Sequence, residues 1–285
     1  MLPWLTQLRE APLSAWIGMI LVLIYAVVAI FAPLIAPFPE TAIVGPQYHA
    51  WVAPHYLGTD ALGRDVLSRL IFGARNTVGI ALATTVLAFA IGITMGLLAA
   101  TMGGYLDAVC SRAVDVLMAI PALIFALLIL TITGTSILSL VLVIAVLDST
   151  RVYRLSRAVA QSILTMDYIE VARMRGEGMF WLIRREVLPN ASAPLIAEFG
   201  LRFCFVFLFI AALSFLGLGI QPPTADWGSM VRESAKLIAF ANFSSWTTAT
   251  FGLAPLLPAG AVALLTVAVN LVVDWVLHLS SGLKE

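Results

Sequence analysis

The stretch VLMAIPALIFALLILTITGTSILSLVLVIAVL, residues 116–147, decides the fold. It places 32 residues without a charge between Asp115 and Asp148. As one helix rising about 1.5 Å per residue it would be roughly 48 Å long, well beyond the ~30 Å hydrocarbon core of a bilayer. It therefore reads as two membrane-crossing helices. The tetrad Thr133-Gly134-Thr135-Ser136 is rich in turn formers and stands where the two would join.

The same pattern extends outward. Further charge-free runs cover residues 11–39, 76–106, 203–225 and 237–273. The whole chain is 61% hydrophobic and 11% charged, against about 25% charged in soluble domains, which excludes an ordinary globular enzyme. Six spans follow, roughly 16–36, 77–100, 113–132, 137–153, 197–218 and 251–277, in an all-α membrane protein. Only Arg9 supplies a cation before the first apolar stretch, which is too long for a signal peptide and lacks a cleavage site, so it is expected to be a retained span. With the N-terminus inside, the cytoplasmic side collects Arg9, Arg112, seven arginines between 151 and 185, and Lys284. The outer side holds Arg64, Arg69, Arg75, Arg232 and Lys236, so the positive-inside bias favours cytoplasmic termini. A five-span chain with its N-terminus outside scores comparably on charge; both arrangements leave the 151–185 loop in the cytoplasm. Net charge is zero, and no nucleic-acid partner is expected.

The most polar stretch is TMDYIEVARMRGEGMFWLIRREVLPN, residues 165–190. Asp167 with Glu170 three residues later has the spacing of a capping box, and Gly176 follows Arg173 and Arg175 as a terminator would, so a helix is expected over 168–175. So short a helix is unstable alone in water, and Ile169, Ala172 and Met174 need a surface to pack on. A partner docked there and a pair of ordinary caps both satisfy the spacing.

On the outer side, LGTDALGRDVLSRL (57–70) places Asp60 four residues before Arg64 and Asp65 four before Arg69, with Val66, Leu67, Leu70 and Ile71 on an apolar face. This describes an amphipathic helix lying at the membrane interface. In LSFLGLGIQPPTADWG (213–228) glycines and a Pro pair stop a helix, leaving Trp227 as an interfacial anchor. Near the cytoplasmic ends of spans, Glu198 and Arg202 stand one turn apart as a structural ion pair, Arg112 and Asp115 lie near the start of the third span, Asp148 ends the fourth, and Asn270 with Asp274 marks the end of the sixth. No charge falls at a span's midplane on this count, which disfavours an ion-coupled secondary transporter. Gly92, Gly96, Ala99 and Ala100 permit close helix packing. Cys110 and Cys204 read as packing residues, and His49, His55 and His278 lack metal-ligand spacing. No GxxxxGK[ST] loop occurs, and Lys236 and Lys284 are the only lysines, so the chain is expected to be non-catalytic and unable to hydrolyse ATP.

Glu170, Ala172, Gly176 and Pro189 in Leu188-Pro189-Asn190 resemble the EAA loop of binding-protein-dependent ABC importer permeases. Val171, Arg175 and Glu186 depart from that pattern. LGTDALGRDVLSRL, GGYLDAVCSRAVDVLMAIP (103–121) and LSFLGLGIQPPTADWG resemble the dipeptide, oligopeptide and nickel permeases, nearest to the second of their two permease subunits, over roughly 57–274. The C-terminus departs, with Val273-Asp274-Trp275 leading to His278. The resemblance implies a type I ABC importer transmembrane domain over 75–278, with coupling loop 165–190, preceded by an N-terminal span and outer segment at 1–74 and followed by a tail at 279–285. It also implies a bacterial inner-membrane location and four kinds of neighbour: a homologous permease, two cytoplasmic ATPases that bind the ATP and magnesium, an extracytoplasmic solute-binding protein, and lipid. Peptide is the implied cargo, with nickel or another small solute as the alternative. A secondary transporter, an intramembrane enzyme and a structural membrane subunit are the remaining readings.

Overall fold

The structure is a computed structural model that describes residues 11–240, 250 and 252–281. Arg9 and Lys284, two of the cations counted above, lie outside the described residues. Among the described residues the chain is helical, without strands; isolated bridges join Ile43 to Arg64, Val52 to His55 and Thr59 to Asp65.

Helix α1 covers Leu13–Ile35. After the outer segment, α2 (Val66–Gly73) runs through a π-helical turn (Ala74–Val78) into α3 (Gly79–Met102). Helices α4 (Gly104–Ala119) and α5 (Ala122–Thr133) meet at a 90° bend. Next come α6 (Ile137–Leu164), the short α7 (Asp167–Met174), and a long rod made of α8 (Met179–Leu182), a second π-helical turn (Ile183–Val187) and α9 (Leu188–Leu216). Helix α10 (Trp227–Ala235) and α11 (Leu256–Ser281) complete the chain. By length and composition four stretches can cross a membrane, Leu13–Ile35, Val66–Met102, Met179–Leu216 and Leu256–Leu279, or five if the bent α4–α5 pair is one span.

Three expectations change. The span expected over 113–132 is broken at Ile120–Pro121, because proline has no amide to donate and drives the residue before it to extended backbone; Ile120 has ψ 131°. The fourth helix does not end near Asp148 but continues to Leu164. No Gly or Pro interrupts it, and two of its arginines are held by carboxylates of α4: Arg157 bonds Asp107 through Nε (2.5 Å) and Nη2 (2.6 Å), and Arg154 pairs with Asp115 at 2.6 Å. The amphipathic segment expected at the interface does not form a separate helix; α2 continues through the π-helical turn into α3, a stretch long and apolar enough to cross a membrane, and its arginine Arg69 is 1% exposed.

The tightest packing is between α3 and α6. A Cβ at Gly92 would lie 2.6 Å from Val152 Cβ and 2.8 Å from the Ser149 carbonyl oxygen, and one at Gly96 would lie 2.8 Å from the Tyr153 carbonyl oxygen. The glycines let the two backbones touch, and Ser156 donates to the Gly92 carbonyl across the contact at 3.1 Å. A second core gathers Leu130, Ile144, Phe207, Ile210, Leu213 and Trp227 from α5, α6, α9 and α10. Trp227 is thus a core residue, 1% exposed, donating to the Leu70 carbonyl at 2.9 Å, and not an interfacial anchor.

The outer segment is locked to α10 by buried charges. Asp60 accepts from Arg64 Nε (2.7 Å) and Arg69 Nη1 (2.5 Å), and Arg69 Nη1 also reaches Glu233 at 2.8 Å. The expected Asp65–Arg69 pair is replaced, since Asp65 caps α2 by accepting from the Ser68 amide at 2.8 Å and also meets His55 Nδ1 at 3.1 Å. Burial by itself raises the Asp60 carboxyl, but the amides of Arg64 and Leu62 and the charges of Arg69 and Arg64 outweigh it and hold the group below its ordinary 3.8.

Two outcomes are expected. Gly92→Val should lower the thermal unfolding midpoint in detergent by the equivalent of about 1–3 kcal/mol, whereas Gly260→Ala, where an added Cβ meets nothing within 4 Å, should leave it unchanged or slightly raised. Arg69→Met leaves Asp60 and Glu233 to share Arg64, and the loss of a buried ion-pair partner should cost up to about 3–5 kcal/mol at neutral pH. Because the folded Asp60 carboxyl is depressed, its contribution is complete above the unfolded value of 3.8 and is lost as pH falls through the lower folded value. A wild-type midpoint that declines on acidification already at pH 6 would contradict Asp60 as the acid-sensitive group.

Candidate functional site

Helix α7 begins one residue earlier than the spacing predicts, and the capping box does not form. Met166 is the N-cap and no side chain caps the end; Asp167 and Glu170 lie in the first turn, where their charges oppose the positive end of the helix dipole. The C-terminus is closed as read. Gly176 has φ 81°, a left-handed conformation that Gly adopts without a Cβ penalty, and its amide donates to the Arg173 carbonyl at 2.9 Å while the Glu177 amide donates to that of Ala172 at 3.2 Å. This is the paired bonding of a Schellman motif.

The helix finds its packing partner within the chain. Ile169 and Ala172 are both 0% exposed in a cluster with Leu97, Ala160, Ile163, Leu182, Val187, Ala191 and Leu195. Burial of these two residues therefore does not require a partner subunit. The face turned away from that cluster is open: Val171 is 48% and Met174 75% exposed. Glu170, Arg173 and Met174 line an open cleft of about 640 Å³ with Leu164, Thr165 and Met166. Of the four residues singled out in the loop, Glu170 is exposed, Ala172 is core, and Gly176 shapes the chain reversal. Pro189 sits in the first turn of α9, exposed, beside Asn190, whose amide donates to the Glu186 carbonyl at 2.7 Å and to Tyr168 Oη at 3.4 Å. That last bond links α7 to the start of α9. Tyr168 and Asn190 carried no pairing signal in the sequence because they are 22 residues apart.

A second polar group lies inside the helical bundle. Glu198 Oε1 is 2.6 Å from Arg202 Nε, and Arg202 Nη1 is 3.5 Å from Asp148 Oδ1. Arg151 and Arg202 both approach the ring of Phe205, at 4.4 and 5.4 Å from its centroid. This group lies next to the contact between α3 and α6. Ser149 touches Gly92, which stands 13 residues from Gly79 and 10 from Met102 in α3. Asp148 is next to Ser149 and so sits beside the α3–α6 contact. Asp148 does not mark the helix end expected there, because α6 continues past it to Leu164.

The family model for the binding-protein-dependent transport system inner membrane component matches residues 92–281, and that for the N-terminal transmembrane domain of oligopeptide transport permease C matches residues 13–56. The chain belongs to this permease family. Among its relatives, this permease is 35% identical to the dipeptide transport system permease protein DppC of Haemophilus influenzae over 237 residues, 81% of this chain and 80% of the relative. It is 37% identical to the di/tripeptide transport system permease protein DppC of Pseudomonas aeruginosa over 255 residues, 87% and 83% of the two chains. With the dipeptide transport system permease protein DppC of Escherichia coli K12 it shares 36% over 270 residues, 92% and 86%. The permease is thus a multi-helix inner-membrane component of an ABC importer, a family of transport subunits that works with an ATPase and a substrate-binding protein.

Proposed function

We propose that this permease forms half of the translocation pathway of an ATP-driven importer for dipeptides and oligopeptides. The observation that carries the reading is α7: a short helix seated on its own chain by Ile169 and Ala172, leaving Glu170, Val171 and Met174 exposed on the other side. A helix so placed can receive a push from a cytoplasmic partner and pass it to α6 and α9, against which it packs. The partner in this reading is one of two ATPases that bind ATP and magnesium; Glu170, Ala172, Gly176 and Pro189 belong to the coupling loop 165–190 within a transmembrane domain over 75–278, between an N-terminal part at 1–74 and a tail at 279–285. A homologous permease supplies the other half of the pathway, and an extracytoplasmic binding protein delivers cargo. Relatives whose names specify dipeptide and di/tripeptide transport support the choice of peptide.

Six spans fit this reading as the four long apolar helices, the bent α4–α5 pair, and α6. Both termini are then cytoplasmic. Under this arrangement Arg154, Arg157, Asp107 and Asp115 sit together toward the cytoplasmic side, where ion pairs are least costly.

Glu170→Ala should lower peptide uptake and the coupling of ATP hydrolysis to it, with the protein still inserted. Gly176→Leu should do the same, because a branched side chain resists the left-handed backbone there. Uptake by vesicles containing the assembled transporter, with permease content measured on the same membranes, checks this; unchanged uptake at equal content would remove α7 from the coupling path. The permease purified without its partners should show no ATPase activity.

A further inference from the structure

A space between helices that nothing fills forfeits the dispersion contacts of its walls. One such space is a slot of about 370 Å³ between α1, α3, α9 and α11. All four helices belong to stretches long and apolar enough to cross a membrane. Along α11 the slot runs from Leu265 to Val276, about 17 Å at 1.5 Å per residue. Its walls are apolar side chains and one hydroxyl, that of Tyr25, which already donates to the Ala261 carbonyl at 3.0 Å. The slot does not collapse, because α1 is pinned to α11 by that bond and at Gly18, where an added Cβ would lie 2.7 Å from the Ala268 carbonyl oxygen. At its back α9 and α11 touch, since a Cβ on Gly200 would overlap Val273.

Its shape and chemistry select the occupant. Ordered water needs two or more polar partners, and the walls offer none that is free. A peptide would leave its amides and carbonyls without hydrogen bonds. A helix of a partner subunit is 10–12 Å across with its side chains, whereas 370 Å³ spread over that length is only about 5 Å across. A single hydrocarbon chain is thin, flexible and free of hydrogen-bonding groups. The mouth beside Val78 adds a charge. Arg75 stands three residues before Val78 in the π-helical turn, is exposed, and makes no ion pair within 4 Å among the described residues. Helix α3 alone has 24 residues, about 36 Å, against a hydrocarbon core of ~30 Å. Arg75, beyond its end, therefore reaches the depth of lipid head groups.

From this geometry we infer that the slot between α1 and the α9–α11 pair binds one acyl chain of a phospholipid, whose phosphate meets Arg75. The chain restores the contacts that an empty slot lacks, and the guanidinium gives the phosphate a charge-assisted partner. Lipid bound in this way differs from lipid that merely surrounds the protein, because helices wall the chain on several sides and a cation marks the entrance. The bound chain completes the packing between α1 and the rest of the bundle. The inference needs only the membrane location and does not depend on what the transporter carries.

The test uses the assembled transporter, reconstituted with dioleoylphosphatidylglycerol and then extracted in a detergent that strips loosely held lipid, with native mass spectrometry counting what stays. Wild type should keep one more phospholipid per copy of this chain than Ala26→Phe, whose ring fills the slot. Leu208→Phe, at an exposed position of α9 outside the slot, should match wild type. Arg75→Gln should lower the preference for dioleoylphosphatidylglycerol over dioleoylglycerol about fivefold, the scale of one cation near an anionic lipid surface. Equal counts in wild type and Ala26→Phe would overturn the inference and leave the slot to a partner subunit or to surrounding lipid. An unchanged preference in Arg75→Gln would overturn the placing of the phosphate. Should Ala26→Phe fail to assemble, wild type loaded with phosphatidylglycerol bearing a diazirine on its acyl chain decides. After stripping and illumination, label on Val22, Ala26 or Val269 supports the site, and label confined to other surfaces overturns it.

Discussion

The contact between α3 and α6 is the constraint on which the other elements depend. Two glycines one turn apart bring the backbones together, and Ser156 bonds across the join. In lipid, helices gain little from hydrophobic burial against one another, so close van der Waals contact and hydrogen bonding between helices must supply the association. That contact sets the depth of everything on α6. It places Asp148 beside the join, Arg154 and Arg157 over the carboxylates of α4, and Ile163 over the underside of α7. A shift of one residue along the contact would move a glycine out from under Val152 and displace all three.

The two ends of the bundle are secured by different physics. At one, a buried lattice of Asp60, Arg64, Arg69 and Glu233 joins residues 164 apart in the chain, and Trp227 fills the space behind it. Such a lattice is directional and brittle, since loss of one charge strands the others. At the other, α7 rests on Ile169 and Ala172 in an apolar seat, with one tyrosine-to-asparagine bond at its rim. Such a seat is less directional than an ion-pair lattice.

Much of this was legible in the chain. The tetrad at Thr133–Ser136 did separate two helices, the Gly176 terminator closed α7, and the small residues of α3 marked its packing face. Those signals are local or periodic, so a single segment carries them. What escaped depends on partners distant in sequence. Arg69 had an acceptable partner in Asp65 four residues away, yet Glu233 and Asp60 hold it, and nothing within 57–70 announces a residue at 233. Trp227 had the flanks of an interfacial anchor, but its indole is captured by a carbonyl at Leu70. A charge in an apolar run reads as the end of that run, but the helix carries Asp148 through, since its flanks have no breaker. The exposed face of α7 could be named only after its buried face was known.

The two π-helical turns, Ala74–Val78 and Ile183–Val187, have a consequence for how the long rods work. One extra residue in a turn offsets the helical phase by about 100°, since each residue of an α-helix advances by that angle. The rod from Val66 to Met102 can therefore point Arg69 at α10 from its outer part and Gly92 at α6 from its inner part, although no single stripe of an unbroken helix need contain both. Likewise Val187 faces the seat of α7 while Phe207 faces the central core. Each rod is thus keyed differently at its two ends, and a single continuous helix meets two sets of neighbours on two different faces.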